Sequence, residues 1–347
     1  MNILIIGNGF DIAHKLPTKY RDFLSACLIV KQSDVVWENN EPTDEKKNKN
    51  SEKAEEIAFI MGEEVWGEFR KFINNNFWIN YFQSREQLIG ENWIDFEYEI
   101  KRVLELIYVA MGNRYDECIS YDKLPDAELV KFCKGHSLKD GVGIYRDLFR
   151  KMLKEHRRVI RALELYMDGY VNQLDADKIP YFEKTVVDKV LSFNYTATYT
   201  EFYNAEVDCC YIHGEAYAKR DVKKCNIVLG FDDHYIKDTE IKSELIPFEK
   251  YYQRIVNGTD NQYFEWLEDM RYETSNKVIV YGHSLGMADG DILQLFIMCD
   301  KVKTVIFYYD EEDRADKIKN LAMVLGPDNL IKLTGGKNPR VQFKKID

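Results

Sequence analysis

The chain has 347 residues, 45% of them apolar, enough to bury a sizeable core in one large α/β domain or in two domains and to exclude wholesale disorder. A formal charge of −11 excludes a protein that coats nucleic acid by neutralising phosphates, although a small anionic nucleotide needs only a local positive field. Seven cysteines, an odd number with no C-x-x-C pair and no secretory signal, predict reduced thiols in a soluble cytoplasmic protein without a zinc site or a membrane span.

Ile3 to Ile6 is an unbroken apolar run that predicts a strand buried on both faces, as in a parallel sheet covered by helices. Gly7-Asn8-Gly9 follows at once, where a tight turn at the carboxyl edge of a first strand lets a ligand approach the backbone. The same glycines also suit a strand-to-helix turn with no ligand, since Ile12 stands where the third glycine of a dinucleotide fingerprint belongs. Asp11 would repel a pyrophosphate; it either accepts from a sugar hydroxyl or caps the helix. Leu16-Pro17-Thr18 ends the segment.

Asp22 to Val30 predicts a short helix with Phe23, Leu24, Cys27 and Leu28 on one face. Glu38 to Glu56 is rich in Glu, Asn, Lys and Asp and reads as a solvated loop. Ile57 to Met111 carries apolar residues at helical spacing, and in Asn92-Trp-Ile-Asp-Phe-Glu97 the acid Asp95 begins a helix or reaches back to the site. Leu148 to Leu174 continues the helical pattern, so residues 21–184 form a mostly helical insertion within a single α/β domain. Further strands are expected at Thr185–Phe193, Asp208–Ile212, Asn226–Leu229, Lys277–Tyr281 and Val302–Tyr309, with a helical stretch at Phe248–Met270 and a helix opening at Asp310. Polar residues follow four of these strands, which suits a doubly wound, mostly parallel Rossmann-like sheet.

Gly282-His283-Ser284-Leu285-Gly286 matches the nucleophile elbow of α/β hydrolases, but that fold needs a histidine after the serine and none of the six histidines lies beyond Ser284. The pentapeptide reads better as a second glycine-rich turn opposite Gly7-Asn8-Gly9, with Ser284 and Asp289 contacting phosphate or ribose. Asn194 and His213 follow successive strands; each is either a site residue or a structural one.

The opening motif, Ser192-Phe-Asn-Tyr-Thr196, Tyr211-Ile-His-Gly214, Leu229-Gly-Phe-Asp-Asp233 and Gly282-His-Ser-Leu-Gly286 resemble the AbiH family of bacterial abortive-infection proteins. More remotely they resemble the sirtuin-like NAD-binding fold: Gly7-x-Gly9 with Leu16-Pro17, Asn194 at the ribose-side asparagine, His213-Gly214 at the catalytic His-Gly, and Gly282-x-Ser284. Asp11 stands in place of a sirtuin serine, Lys15 in place of a loop glycine, and the zinc-ribbon cysteines are missing. The resemblance therefore implies an antiphage protein that hydrolyses NAD or a related nucleotide at the nicotinamide–ribose bond, not a deacylase. It implies Asn194 and His213 as catalytic residues, and cofactor contacts from Gly7, Asn8, Gly9, Phe10, Asp11, Thr18, Gly282, Ser284 and Asp289, with no metal. A phage-derived trigger or a second copy of the chain are the further partners expected; the alternative is a nucleotide sensor or interaction protein without turnover.

Overall fold

A computed structural model gives the fold and describes residues 1–89, 95–111, 124–136, 144–232, 243–259 and 261–346. Asn92, Trp93, Ile94 and Asp233 lie outside the described residues. The chain divides into two compact units, one formed by Met1–Thr18, Leu174–Glu215 and Gly258–Asp347, the other by Lys19–Gln173 and Ala216–Asn257.

The first unit is an α/β layer structure. Its strands are β1 (Asn2–Ile6), β4 (Lys189–Ser192), β5 (Asp208–Tyr211), β6 (Asn276–Tyr281), β7 (Val302–Tyr308) and β8 (Val341–Lys345), all parallel, in the order β5-β4-β1-β6-β7-β8. Side-chain alternation sends Ile3, Ile5, Val278, Val280 and Ile306 to one face and Leu4, Ile6, Ile279, Tyr281 and Phe307 to the other. The first face packs on Trp266, Met270, Leu293, Phe296 and Leu321 from the helices Tyr263–Tyr272, Gly290–Met298 and Glu311–Leu325. The second is covered by Phe10, Phe182 and Tyr199 from three short helices, Asn8–Ala13, Pro180–Glu183 and Thr198–Phe202. Burial on both faces is why β1 carries no polar residue after Asn2. The sheet is doubly wound, and the strand order reverses between β1 and β6.

The second unit is mostly helical, built on Tyr20–Gln32, Ser51–Ile73, Phe77–Ile89, Phe96–Met111, Ala127–His136 and Ile144–Gly169. Asp95 starts its helix, its Oδ1 accepting from the N–H groups of Glu97 and Tyr98 at 2.9 and 3.1 Å. Buried Arg161 holds the returning segment: it donates to the Ala218 carbonyl (2.8 Å) and pairs with buried Glu164 (2.6 Å), which also takes Arg220 (3.0 Å).

Three expectations are corrected. Residues 38–56 are not one solvated loop: β2 (Val35–Glu38) and β3 (Glu41–Asp44) form a hairpin, and a helix starts at Ser51. The ordering comes from buried Asp44, whose carboxylate accepts from Asp34 N–H (2.8 Å), Lys46 N–H (3.0 Å) and Ser51 Oγ (2.8 Å). Leu28 faces solvent, and Ala26 and Val30 are buried in its place, because the packed stripe is rotated around the helix toward Ala26 and Val30. The helical stretch expected from Phe248 to Met270 is present, as the two helices Lys250–Asn257 and Tyr263–Tyr272. Finally, Asn226–Leu229 is not a strand. Its apolar side chains are buried, but the Gln253 side chain takes the place of a neighbouring strand, accepting from Leu229 N–H and donating to Leu229 C=O, both at 3.0 Å. Among the described residues, no helix is long and apolar enough to cross a membrane.

Gln253→Ala would remove both side-chain hydrogen bonds to the buried Leu229 backbone and is expected to cost about 2 kcal/mol or more in urea denaturation. Ile255→Ala, on the same helix but 76% exposed, should stay within about 0.5 kcal/mol of wild type.

Candidate functional site

Register brings the site together. Ile6 is level with Ser192 on one side and Tyr281 on the other, and Ser192 is level with Tyr211. Because every strand is parallel, Gly7, Asn194, His213 and Gly282–Ser284 all emerge at one carboxyl edge, around the reversal of strand order where such sheets take ligands.

The two glycine turns are pressed directly against each other. Gly9 N–H donates to Gly282 C=O at 2.8 Å and Phe10 N–H to Gly7 C=O at 2.8 Å. A Cβ on Gly282 would sit 2.0 Å from the Phe10 nitrogen, and one on Gly9 would sit 2.7 Å from Gly282 Cα. Gly282 also has φ of +68°, which disfavours any other residue. The glycines are thus spent on backbone-to-backbone packing, and two donors that a phosphate cradle would use are turned inward.

Around these turns the expected contacts separate. Asn8 is exposed, and its Oδ1 accepts from buried Thr18 Oγ1 at 2.5 Å, which pins the loop. Phe10 lies in the core, its ring centroid 5.3 Å from Phe182 and 5.9 Å from Tyr281. Asp11 does not cap the helix, whose N-cap is Gly7. It is buried, with Oδ2 accepting from Thr196 Oγ1 at 2.6 Å and Oδ1 without a hydrogen-bond partner. Burial pushes its carboxyl up to about 6, against the opposing hydrogen bond from Thr196. His14 is buried as a neutral ring, its pKa lowered by burial, with Nδ1 donating to Phe10 C=O (2.6 Å) and Nε2 accepting from Tyr203 Oη (2.6 Å).

Asn194 is anchored through Nδ2, which donates to Gly7 C=O at 3.0 Å. Beside it a carboxylate lies between two imidazoles. Asp289 Oδ1 is 3.1 Å from His213 Nε2, and Oδ2 is 3.3 Å from His283 Nε2. His213 Nδ1 is 3.2 Å from Phe193 C=O, so both of its nitrogens face oxygens that only accept. That arrangement is satisfied in full by the imidazolium. Asp289, expected as a ligand contact, is thus joined to His213 and His283.

Ser284 is exposed, and the left-handed backbone in its turn falls on Gly282 (φ +68°) and Leu285 (φ +59°), so the strained serine of a nucleophile elbow is missing. The sequence reading missed Tyr309, whose hydroxyl donates to Gly9 C=O at 2.8 Å. Its only signal was its place just past an apolar strand.

A family model, bacteriophage abortive infection AbiH, matches residues 3–308. The chain belongs to the AbiH family. That span includes the whole site from Gly7 to Asp289 and ends with β7, before β8. Neither a curated protein nor a solved structure matches the chain. Membership puts it among phage abortive-infection proteins, whereas the likeness to sirtuins rests on the motif residues alone.

Gly282→Ala, which places a Cβ against backbone at a left-handed position, is expected to cost about 3 kcal/mol or more, read as a large drop in the urea midpoint. Asp11 gives a pH dependence. Its folded pKa, about 6, lies above the ordinary carboxyl value, so the native state holds the proton more tightly. The charge-dependent part of its burial cost is small below about pH 4 and reaches its full value of about 3 kcal/mol above about pH 6. The stability gained by Asp11→Asn over wild type should therefore grow by about that amount between pH 4 and pH 8 in urea denaturation.

Proposed function

We propose that the α/β unit of this abortive-infection protein binds NAD or a related nucleotide at its carboxyl edge and hydrolyses the nicotinamide–ribose bond. The observation that supports this most is the convergence of Asn194, His213 and Asp289, from two strand ends and the turn after β6, beside the reversal of strand order. Water adds to the ribose carbon, nicotinamide leaves with the bonding pair, and the proton of the attacking water passes to a base. The cleavage has oxocarbenium character and asks mainly for positioning and a nearby negative group. Asn194, tethered by its amide nitrogen, has its carbonyl oxygen to hold water or a ribose hydroxyl. The His213–Asp289 pair gives up its proton before the reaction and regains it from the water.

Binding without turnover is the second reading. It is favoured by the commitment of both His213 nitrogens to acceptors, since an imidazolium takes no further proton.

The assay is nicotinamide release from NAD by purified protein. His213→Ala should cut turnover by about 10²-fold or more while leaving nucleotide binding nearly intact. Asn194→Ala should lower turnover with some loss of binding, and Ser284→Ala should weaken binding only. An active wild type with a fully active His213→Ala variant would end this mechanism; tight nucleotide binding without release at high protein concentration would favour the sensor.

A further inference from the structure

We propose that His283 is a positioning residue that fixes the rotamer of Asp289 and, through it, the proton on His213. The inference rests on the hydrolytic reading only for its effect on turnover; the hydrogen-bond geometry stands apart from it.

The tautomer of His283 is dictated by the backbone. Leu285 N–H donates to His283 Nδ1 at 2.9 Å, and an amide proton cannot be withdrawn, so Nδ1 is the acceptor and the ring proton sits on Nε2. That nitrogen lies 3.3 Å from Asp289 Oδ2. The left-handed backbone at Leu285 belongs to this same turn, and the Leu285 side chain is fully buried in the core, so the donor is anchored. Phe193 holds both rings, its centroid 4.4 Å from His283 and 5.6 Å from His213.

Asp289 supplies the second line of argument. It occupies the N-cap position of the helix Gly290–Met298, where an aspartate ordinarily accepts from a backbone N–H of the first turn. Here it makes no side-chain cap bond. Its carboxylate lies beside the two imidazoles, Oδ1 nearest His213 Nε2 and Oδ2 nearest His283 Nε2. Without His283, the N–H groups of the helix's first turn compete for the same carboxylate. His283 therefore decides which way Asp289 points, and Asp289 decides whether His213 holds a proton on Nε2.

The test is nitrogen NMR on the full chain with labelled histidine, alongside nicotinamide release. In the wild type, His283 should show an accepting Nδ1 and a protonated Nε2, and His213 should be protonated on both nitrogens. In His283→Ala the His213 Nε2 proton signature should be lost and kcat should fall about tenfold or more, with KM changed less than about threefold. His283→Gln, whose amide can reach Asp289 with an N–H, should restore both. A folded His283→Ala variant with an unchanged His213 spectrum overturns the proposal. If the alanine variant does not fold, the glutamine variant decides it: a retained His213 signature supports the role, and its loss overturns it. A wild type that binds nucleotide tightly, releases no nicotinamide and shows the expected spectra favours the sensor over the hydrolytic reading and leaves the positioning of Asp289 in place.

Discussion

The hydrogen bond from Gly9 N–H to Gly282 C=O ties the ends of β1 and β6 together at the point where the strand order reverses. In an open parallel sheet this is where two loops normally diverge and leave a crevice. Here the loops touch, and they can do so only because neither carries a Cβ at the contact. Everything else at the edge is placed from this junction. Gly7 C=O receives Asn194, Gly9 C=O receives Tyr309, and the turn that begins at Gly282 delivers His283 and Asp289.

The polar groups at this edge form two layers of different character. Asp11, Thr196 and Thr198 lie buried beneath Asn194, with a carboxyl whose charge is opposed by burial. Asp289 lies between His213 and His283, where the geometry favours charge on the imidazole and the carboxylate together. Two carboxyl groups in such different surroundings hold protons differently, and an enzyme that moves one proton per turnover can use that difference. A protein that only binds can use the same two layers to hold Asn194 rigid.

Membership of the AbiH family supplies the biological setting, a role in phage abortive infection, and the site geometry supplies the chemistry to be tested within it. The fold alone does not choose the reaction, because doubly wound sheets host many. The choice rests on which side chains stand at the carboxyl edge. These are an amide, an imidazole–carboxylate–imidazole cluster and an exposed serine without a base.

The sheet and its polar carboxyl edge were legible in the sequence alone. Unbroken apolar runs at β1, β6 and β7 have one physical solution in a chain of this size, burial on both faces, and polar residues directly after such strands must gather at one edge if the strands are parallel. The starts of the helices at Phe96 and Glu311 were legible for a similar reason, since Asp95 and Asp310 each accept from N–H groups within three residues. The edge strand β8 escaped because Val341-Gln-Phe-Lys-Lys alternates weakly and half of it faces water. Asn226–Leu229 misled because burial and β-propensity do not say whether the backbone partner is a strand or, as here, the side chain of Gln253 twenty-four residues away. The same limit applied at the site. That glycines stand at positions 7, 9 and 282 is local information; that they touch each other is a contact between strand ends some 270 residues apart, and only the fold brings it about. Asp289 reads locally as a helix cap or a ligand contact, and only the tertiary structure turns its carboxylate to two histidines from different strands.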